Sequence, residues 1–396
     1  MGSMTLVGGA STQSRGRRPL PPGAVEARTT GVSGVYEWVD FYYPDVVRKN
    51  QRLLSWIGGQ AGLLFGAIPD TFDFPEIFDS VIDGNFLVHG SYGHATEYAL
   101  ADALGEVYDG HLTSADMMCR FFQSGGEACA AAVRIARAEI GRDLIASSGY
   151  HGAATDFAHE PYWLGYPKAN LDLHRRFEFG DVVEMRRQSK RSACVMVEAP
   201  AWDDEEAIVS FLIACRETAD EFGIPFIIDD VVGGFRFALG GTCERYGVKA
   251  DMVCLGKAIS ATGGVSALVG RADLIGRLGE DVFYSTTFGG NPGPCSVAAA
   301  TVRWLTEHRA EVYGSDGHLQ TIGRALKDGL NALGVRCVGQ PERSIAVFDM
   351  EEERRGWCSK MIERGVMVDR PFFPTLAHTL DDVRVTLKAA EAIREH

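Results

Sequence analysis

No apolar run in this sequence approaches the ~20 residues that a membrane-spanning helix needs, and its amino terminus has no signal-peptide core. The cytoplasm is therefore the expected location. The nine cysteines include no C-x-x-C pair, and several lie in apolar runs such as Ala193-Cys-Val-Met-Val197, so buried reduced thiols are expected, with neither a disulfide framework nor a metal site. Positive charge is in deficit. The 39 Lys and Arg face 53 Asp and Glu, and the formal charge of −14 argues against general binding to nucleic acid or anionic membranes. What is present is a chain of 396 residues, 46% hydrophobic, long enough for one large domain and one smaller one. Residues 1–30 read as a disordered Gly, Ser, Pro and Arg-rich tail, with Met1-Gly-Ser a remnant ahead of a start at Met4.

The chain is organised around Pro225-Phe-Ile-Ile-Asp229-Asp230-Val231-Val232 and the lysine that follows in Cys254-Leu-Gly-Lys257. A short β-branched and aromatic run ending abruptly in carboxylates predicts a buried parallel strand that delivers an acid at its carboxyl end, where open α/β sheets bind ligands. A second run, Asp251-Met-Val-Cys-Leu255, delivers Lys257 to the same edge. Taken singly, a carboxylate such as Asp229 is more often a helix cap or loop residue, and a lysine such as Lys257 more often a solvated turn residue. Together, an acid placed beneath a heteroaromatic nitrogen and a lysine able to form an imine are what pyridoxal phosphate asks of a protein.

Upstream, Met117 to Phe122 reads as a strand, Ser124-Gly125-Gly126 as a tight turn, and Glu127 to Arg137 as a helix of small residues stopped by Gly141. Exposed N–H groups at such a helix start hold a phosphate, and glycines let the backbone approach it. Ala193 to Val197 is another apolar strand, ending in Glu198. Glu205 to Phe222 is a helix with Ile208, Phe211, Leu212, Cys215 and Ala219 on one face, so strand, helix and strand form a βαβ unit. His94 reads as a loop histidine without a chemical duty.

Leu255-Gly256-Lys257 with Gly263-Gly264 and Ser266-Ala-Leu-Val-Gly-Arg271, Ser124-Gly-Gly-Glu-Ala128, Tyr150-His-Gly152 and Thr287-Phe-Gly-Gly-Asn291-Pro292 resemble the class III, fold-type I aminotransferases that use pyridoxal 5'-phosphate, and among them the glutamate-1-semialdehyde aminomutase-like proteins. The resemblance covers residues 85 to 310 well. It implies an α/β fold, a mainly parallel seven-stranded-type sheet flanked by helices, with a smaller α+β domain. Residues 81–310 would form the large cofactor domain and 311–396 the carboxy-terminal small domain, against which 31–80 would pack. Ser344 to Asp349 and Gly365 to Val368 are expected as strands of the small domain, with a closing helix from Leu380.

Carried over residue by residue, the resemblance makes Lys257 the Schiff-base lysine and Asp229 the partner of the pyridine nitrogen. Ser124, Gly125, Gly126 and Thr287 would contact the phosphate, Thr287 from the neighbouring subunit of a homodimer. Tyr150 and Val231 would cover the two faces of the ring, and Glu198 would sit near its phenolic oxygen. His151 is expected to be structural. The sequence departs from the family at Gly126, where threonine is usual, and at Asp230, where glutamate is usual; strand alternation turns Asp230 away from the ring. Asp83-Gly-Asn-Phe-Leu-Val88 only echoes a family hairpin, and Arg370 is a candidate carboxylate clamp by chemistry alone. The implied activity is movement of an amino group, by transamination or an intramolecular mutase reaction, on a small amine or amino acid. Decarboxylation or epimerisation on the same scaffold is the alternative, and a binding protein that has lost turnover is a third reading, against which Lys257 and Asp229 both argue.

Overall fold

The computed structural model describes residues 20–21, 24, 26–33, 35–42, 49–56, 93–157, 159, 164–200, 204–369 and 371–394. Leu63 to Gly66, Asp83 to Val88 and Arg370 lie outside the described residues. Two compact units are found, one from the two ends of the chain and one from its middle, which divide at residues 72/73 and 309/310.

In the unit built from the chain ends, β1 (Glu26–Ser33), β2 (Tyr36–Tyr42) and β3 (Lys49–Ser55) form an antiparallel meander. The short strand Val366–Met367 joins the other side of β3 in parallel, with Val366 beside Leu54. Trp56 is fully buried, stacks on His378 at 3.9 Å and donates its indole N–H to Thr386 at 2.7 Å. A large aromatic ring with its polar handle satisfied is a strong anchor for such a small core.

The middle unit carries the seven-stranded sheet. Its strands are β4 (Met117–Phe122), β5 (Ile145–Ser148), β6 (His174–Arg176), β7 (Val195–Val197), β8 (Phe226–Asp230), β9 (Met252–Leu255) and β10 (Ser266–Arg271). Their order is β4-β10-β9-β8-β7-β5-β6. β6, β5, β7, β8 and β9 pair in parallel, and β10 runs antiparallel to both its neighbours. β4 therefore points the same way as β9, so the carboxyl ends of β4, β5, β7, β8 and β9 share one edge. β5, β7, β8 and β9 are buried throughout, as strands covered on both faces must be, which explains why they read as continuous apolar runs.

Helices cover the sheet. α1 (Ala95–Tyr108) is capped by His94, whose ring accepts the Thr96 N–H while Glu97 accepts the His94 N–H. His94 therefore does have work to do, as a capping residue. α2 (Gly125–Ile140) buries Ala128, Ala131, Ala132, Val133, Ile135 and Ala136 and ends at Gly141, whose φ of 67° lies in the left-handed region. The run of alanines is what lets this helix lie close to the sheet. α3 (Glu205–Phe222) starts on an Asp204 cap, buries the face read from the sequence and stops at Gly223. α4 (Pro292–Glu307) begins with proline behind the Asn291 cap.

Beyond it, the carboxy-terminal part departs from one expectation. Within Ser344 to Asp349 only Ile345–Ala346 pairs as strand, with Cys337–Val338. The turn Pro341–Arg343 precedes it and a helix starts at Glu351. The helix Leu380–Arg394 closes the unit. Among the described residues no helix is long and apolar enough to cross a membrane.

Candidate active site

The turns that follow β4, β5, β7, β8 and β9 carry Ser124 to Gly126, Tyr150 and His151, Glu198, Val231, and Lys257, and the sheet brings all of them to one edge. The end of β8 is the best defined. Asp229 is 3% exposed; its Oδ2 lies 2.7 Å from Nδ1 of His151, itself buried, and its Oδ1 accepts the Val231 N–H at 3.1 Å. With the proton on Nδ1 the imidazole donates to the carboxylate, and Nε2 then carries only a lone pair. Nε2 has no hydrogen-bond partner among the described residues, a smaller cost for a lone pair than for an N–H. His151 thus directly orients the acid, a contact across 78 positions of sequence.

Asp230 points to the opposite face, as alternation requires. Thr242 donates to it twice, from its hydroxyl at 2.6 Å and its backbone N–H at 2.8 Å. Burial pushes its carboxyl up to about 7 despite these bonds, and the charges of Asp229 and Glu198 add to the rise.

Val231 ties three turns together. A Cβ placed on Gly125 would stand 2.5 and 2.6 Å from the two Val231 methyls, and one on Gly256 would stand 3.2 Å from the nearer. Gly125 must be glycine for this approach, and the contact holds the start of α2 against the strand end and the lysine turn. Lys257 is half-buried and has φ of +45°, a left-handed conformation that only Phe235 shares among the described non-glycine residues. Such a backbone costs on the order of 1–2 kcal/mol and is kept where the surroundings fix it.

At the start of α2, Ser124 and Glu127 form a capping box: Ser124 Oγ accepts the Glu127 N–H, and Glu127 accepts the N–H groups of Ser124 and Gln123. The N–H groups of Gly125 and Gly126 have no acceptor among the described residues and remain as donors for an anion. Tyr150 is 65% exposed and its backbone N–H donates to Glu198 at 3.2 Å. Thr287 lies exposed in the turn before α4, between Phe283 and Phe288, which are 82% and 52% exposed.

His151 lies three residues past Ser148, the end of β5, beside Tyr150 on the ligand edge, and that position is the sequence signal for its contact with Asp229. No group of residues with metal-ligating composition occurs among the described residues.

Residues 178–379 match the family model described as aminotransferase class-III. A curated relative, glutamate-1-semialdehyde 2,1-aminomutase of Halorubrum lacusprofundi, is 28% identical over 301 residues, which is 71% of this chain and 64% of that protein. The match thus spans less than two thirds of that relative's length. Among solved structures, the FumI protein of Sphingopyxis sp. MTA144, in its PLP internal aldimine form, superposes with a TM-score of 0.77 at 23% identity, covering 96% of this chain and 90% of that one. An omega-transaminase from Sphaerobacter thermophilus gives 0.75 at 23% identity, covering 95% and 91%. At these identities the structural likeness speaks for the fold.

Proposed function

The chain belongs to the class-III aminotransferases, and from that premise we propose that it moves amino groups on small amines or amino acids with pyridoxal 5'-phosphate, by transamination or an intramolecular mutase reaction. The observation that carries the reading is the packing at the end of β8, where Val231 meets Gly125 and Gly256, two residues beyond the Asp229 and His151 pair. An acid, an anion-binding turn and a lysine therefore share one edge.

The residues fit the cofactor. Gly125 and Gly126 present N–H groups without an acceptor at a helix start, which suit its phosphate, Asp229 ends the central strand as a buried acid, and the half-buried Lys257 follows the next strand. When bound, the cofactor supplies an electron sink for a substrate carbanion. Asp229 would keep a proton on the ring nitrogen, with His151 and the Val231 N–H fixing its carboxylate. Lys257 Nζ would anchor the cofactor covalently and, once released, carry the proton at the substrate carbon. Tyr150 and Val231 would flank the ring, and Glu198, held to the Tyr150 backbone, would face its oxygen side. The expected site for the label after borohydride reduction of the protein with pyridoxal phosphate is the peptide containing Lys257, located by mass. A label elsewhere, or none, removes the assignment.

The reading includes a homodimer in the cytoplasm whose sites are completed across the interface. Thr287 supports it, because this residue stands exposed on a turn flanked by two exposed phenylalanines. Lys257→Ala chains mixed with Thr287→Ala chains should regain part of the activity that each lacks, since one site of each mixed dimer would be intact. An active monomer by sedimentation contradicts the shared site.

A further inference from the structure

The loop that carries Lys257 holds an unfavourable backbone, and one buried contact that fixes it has no part in the chemistry above. The short turn Lys257–Ile259 follows β9 and begins in the left-handed conformation at Lys257. Ahead of it Gly256 is wedged, since a Cβ there would stand 3.0 Å from Ser266 Oγ and 3.2 Å from a Val231 methyl. Behind it Ala258, Ile259, Ser260 and Ala261 are all buried, so the Ala261 N–H needs a partner inside the protein. That partner is the fully buried Thr301 on α4, whose hydroxyl accepts the N–H at 3.0 Å and donates its own proton to the Val297 carbonyl at 2.7 Å. Seven residues earlier on the same helix face, Pro294 meets the far end of the loop, where a Cβ on Gly264 would lie 3.5 Å from its Cγ. α4 therefore touches the lysine loop at two points, two helical turns apart. The bonds from the Ile259 N–H to the Gly256 carbonyl at 3.1 Å and from the Ser260 N–H to the Lys257 carbonyl at 3.3 Å connect the point fixed at Ala261 back to the lysine.

We propose that Thr301 is a positioning residue for Lys257: its hydroxyl ties the Ala261 N–H to α4 and so holds the left-handed backbone from which the lysine reaches the cofactor. The proposal rests on the function inferred above. It gives the helix behind the Thr287 turn a second task at the same site.

Valine has nearly the shape of threonine without the oxygen, whereas serine keeps the oxygen and loses a methyl, so the pair separates the hydrogen bond from packing. In Thr301→Val, attachment of added pyridoxal phosphate to Lys257 of the cofactor-free chain, followed by its visible band and by borohydride labelling, should slow about tenfold. Turnover should fall about five- to tenfold in kcat with KM for the amine within about twofold, because the lysine and not the substrate contacts is displaced. Thr301→Ser should bring both rates to within about threefold of the wild type. If valine and serine behave alike, or if valine lowers only the melting temperature and leaves both rates unchanged, Thr301 is a packing residue and the proposal is wrong. Should valine prevent folding, Thr301→Ala against Thr301→Ser makes the same comparison and the same results decide it; if alanine does not fold either, Thr301 serves the fold alone and the proposal is overturned. The wild type is measured first. If it takes up no pyridoxal phosphate at Lys257, the function itself fails and the role of Thr301 falls with it, whereas normal uptake by both wild type and Thr301→Val removes Thr301 alone.

Discussion

Asp229 and Asp230 leave the end of one strand on opposite faces of the sheet, and the two regions they enter are built differently. On the Asp229 side the carboxylate meets a histidine nitrogen and a backbone N–H, and beyond it lie the half-buried Lys257 and the exposed Tyr150. On the Asp230 side the wall is backbone. A Cβ on Gly241 would fall 2.0 Å from Asp230 Oδ2, and one on Gly233 would fall 2.4 Å from Oδ1. Thr242 supplies both donors, and the residue is 1% exposed. One residue type at adjacent positions thus does two jobs. The alternation of a strand separates them, and what decides between chemistry and architecture is whether the surrounding groups leave space for a ligand.

The comparison breaks if the acids can be exchanged. Asp229→Asn keeps the shape and the acceptor for the Val231 N–H but cannot hold a proton on the cofactor's ring nitrogen. The expected loss in kcat is about 1,000-fold, roughly 4 kcal/mol of barrier, with cofactor still bound and the melting temperature little changed. Near-normal turnover would show that Asp229 belongs with Asp230 as an architectural acid.

Asp230→Asn should behave in the opposite way, leaving turnover within a few-fold and changing how stability depends on pH. The folded-state value of this carboxyl, about 7, lies above its ordinary value of 3.8, so folding favours the protonated form. Its contribution to stability is fully present below about pH 4 and is lost as pH rises through about 7. Asparagine cannot ionise. The variant's melting temperature should therefore gain on the wild type as pH goes from 5 to 8, by the equivalent of roughly 2–3 kcal/mol of stability. A gap that stays constant across that range means that Asp230 does not titrate there.

Much of the Asp229 side is legible in the sequence, because its signals are local. Apolar strands ending in Asp229 and Glu198, glycine stops at Gly141 and Gly223, and a glycine turn opening α2 each rest on a few neighbouring residues. The wall around Asp230 is not legible in that way. Gly233 and Gly241 lie apart in the sequence after β8, and only the fold shows that both enclose one carboxylate. The pairing of His151 with Asp229 spans two strands and three α-helices, so no periodicity announces it. Only Ile345–Ala346 pairs where a longer strand was expected, although residues 344–350 lie between the turn and the helix, so apolar composition alone does not set how far a ladder runs.

The smallest effect sharpens the comparison most, because it tests whether the open face has spare volume. A side chain at Gly241 meets Asp230 directly, whereas a Cβ at Gly126 would stand 3.6 Å from Gly152 Cα and 3.9 Å from Ala153 N, which is ordinary van der Waals contact. Packing therefore does not require glycine at 126. Its neighbour Gly125 is held to glycine by Val231, so the two glycines of one turn are under different constraints. Gly126→Thr should fold with unchanged stability to within about 0.5 kcal/mol, the usual range for a substitution that meets no special feature. Its hydroxyl would add one donor beside the N–H groups proposed to hold the phosphate, and pyridoxal phosphate should bind about threefold to tenfold more tightly in a titration of the cofactor-free protein. Weaker binding by Gly126→Thr, with folding intact, would mean that the phosphate fills the space next to Gly126. The missing side chain would then be part of the fit.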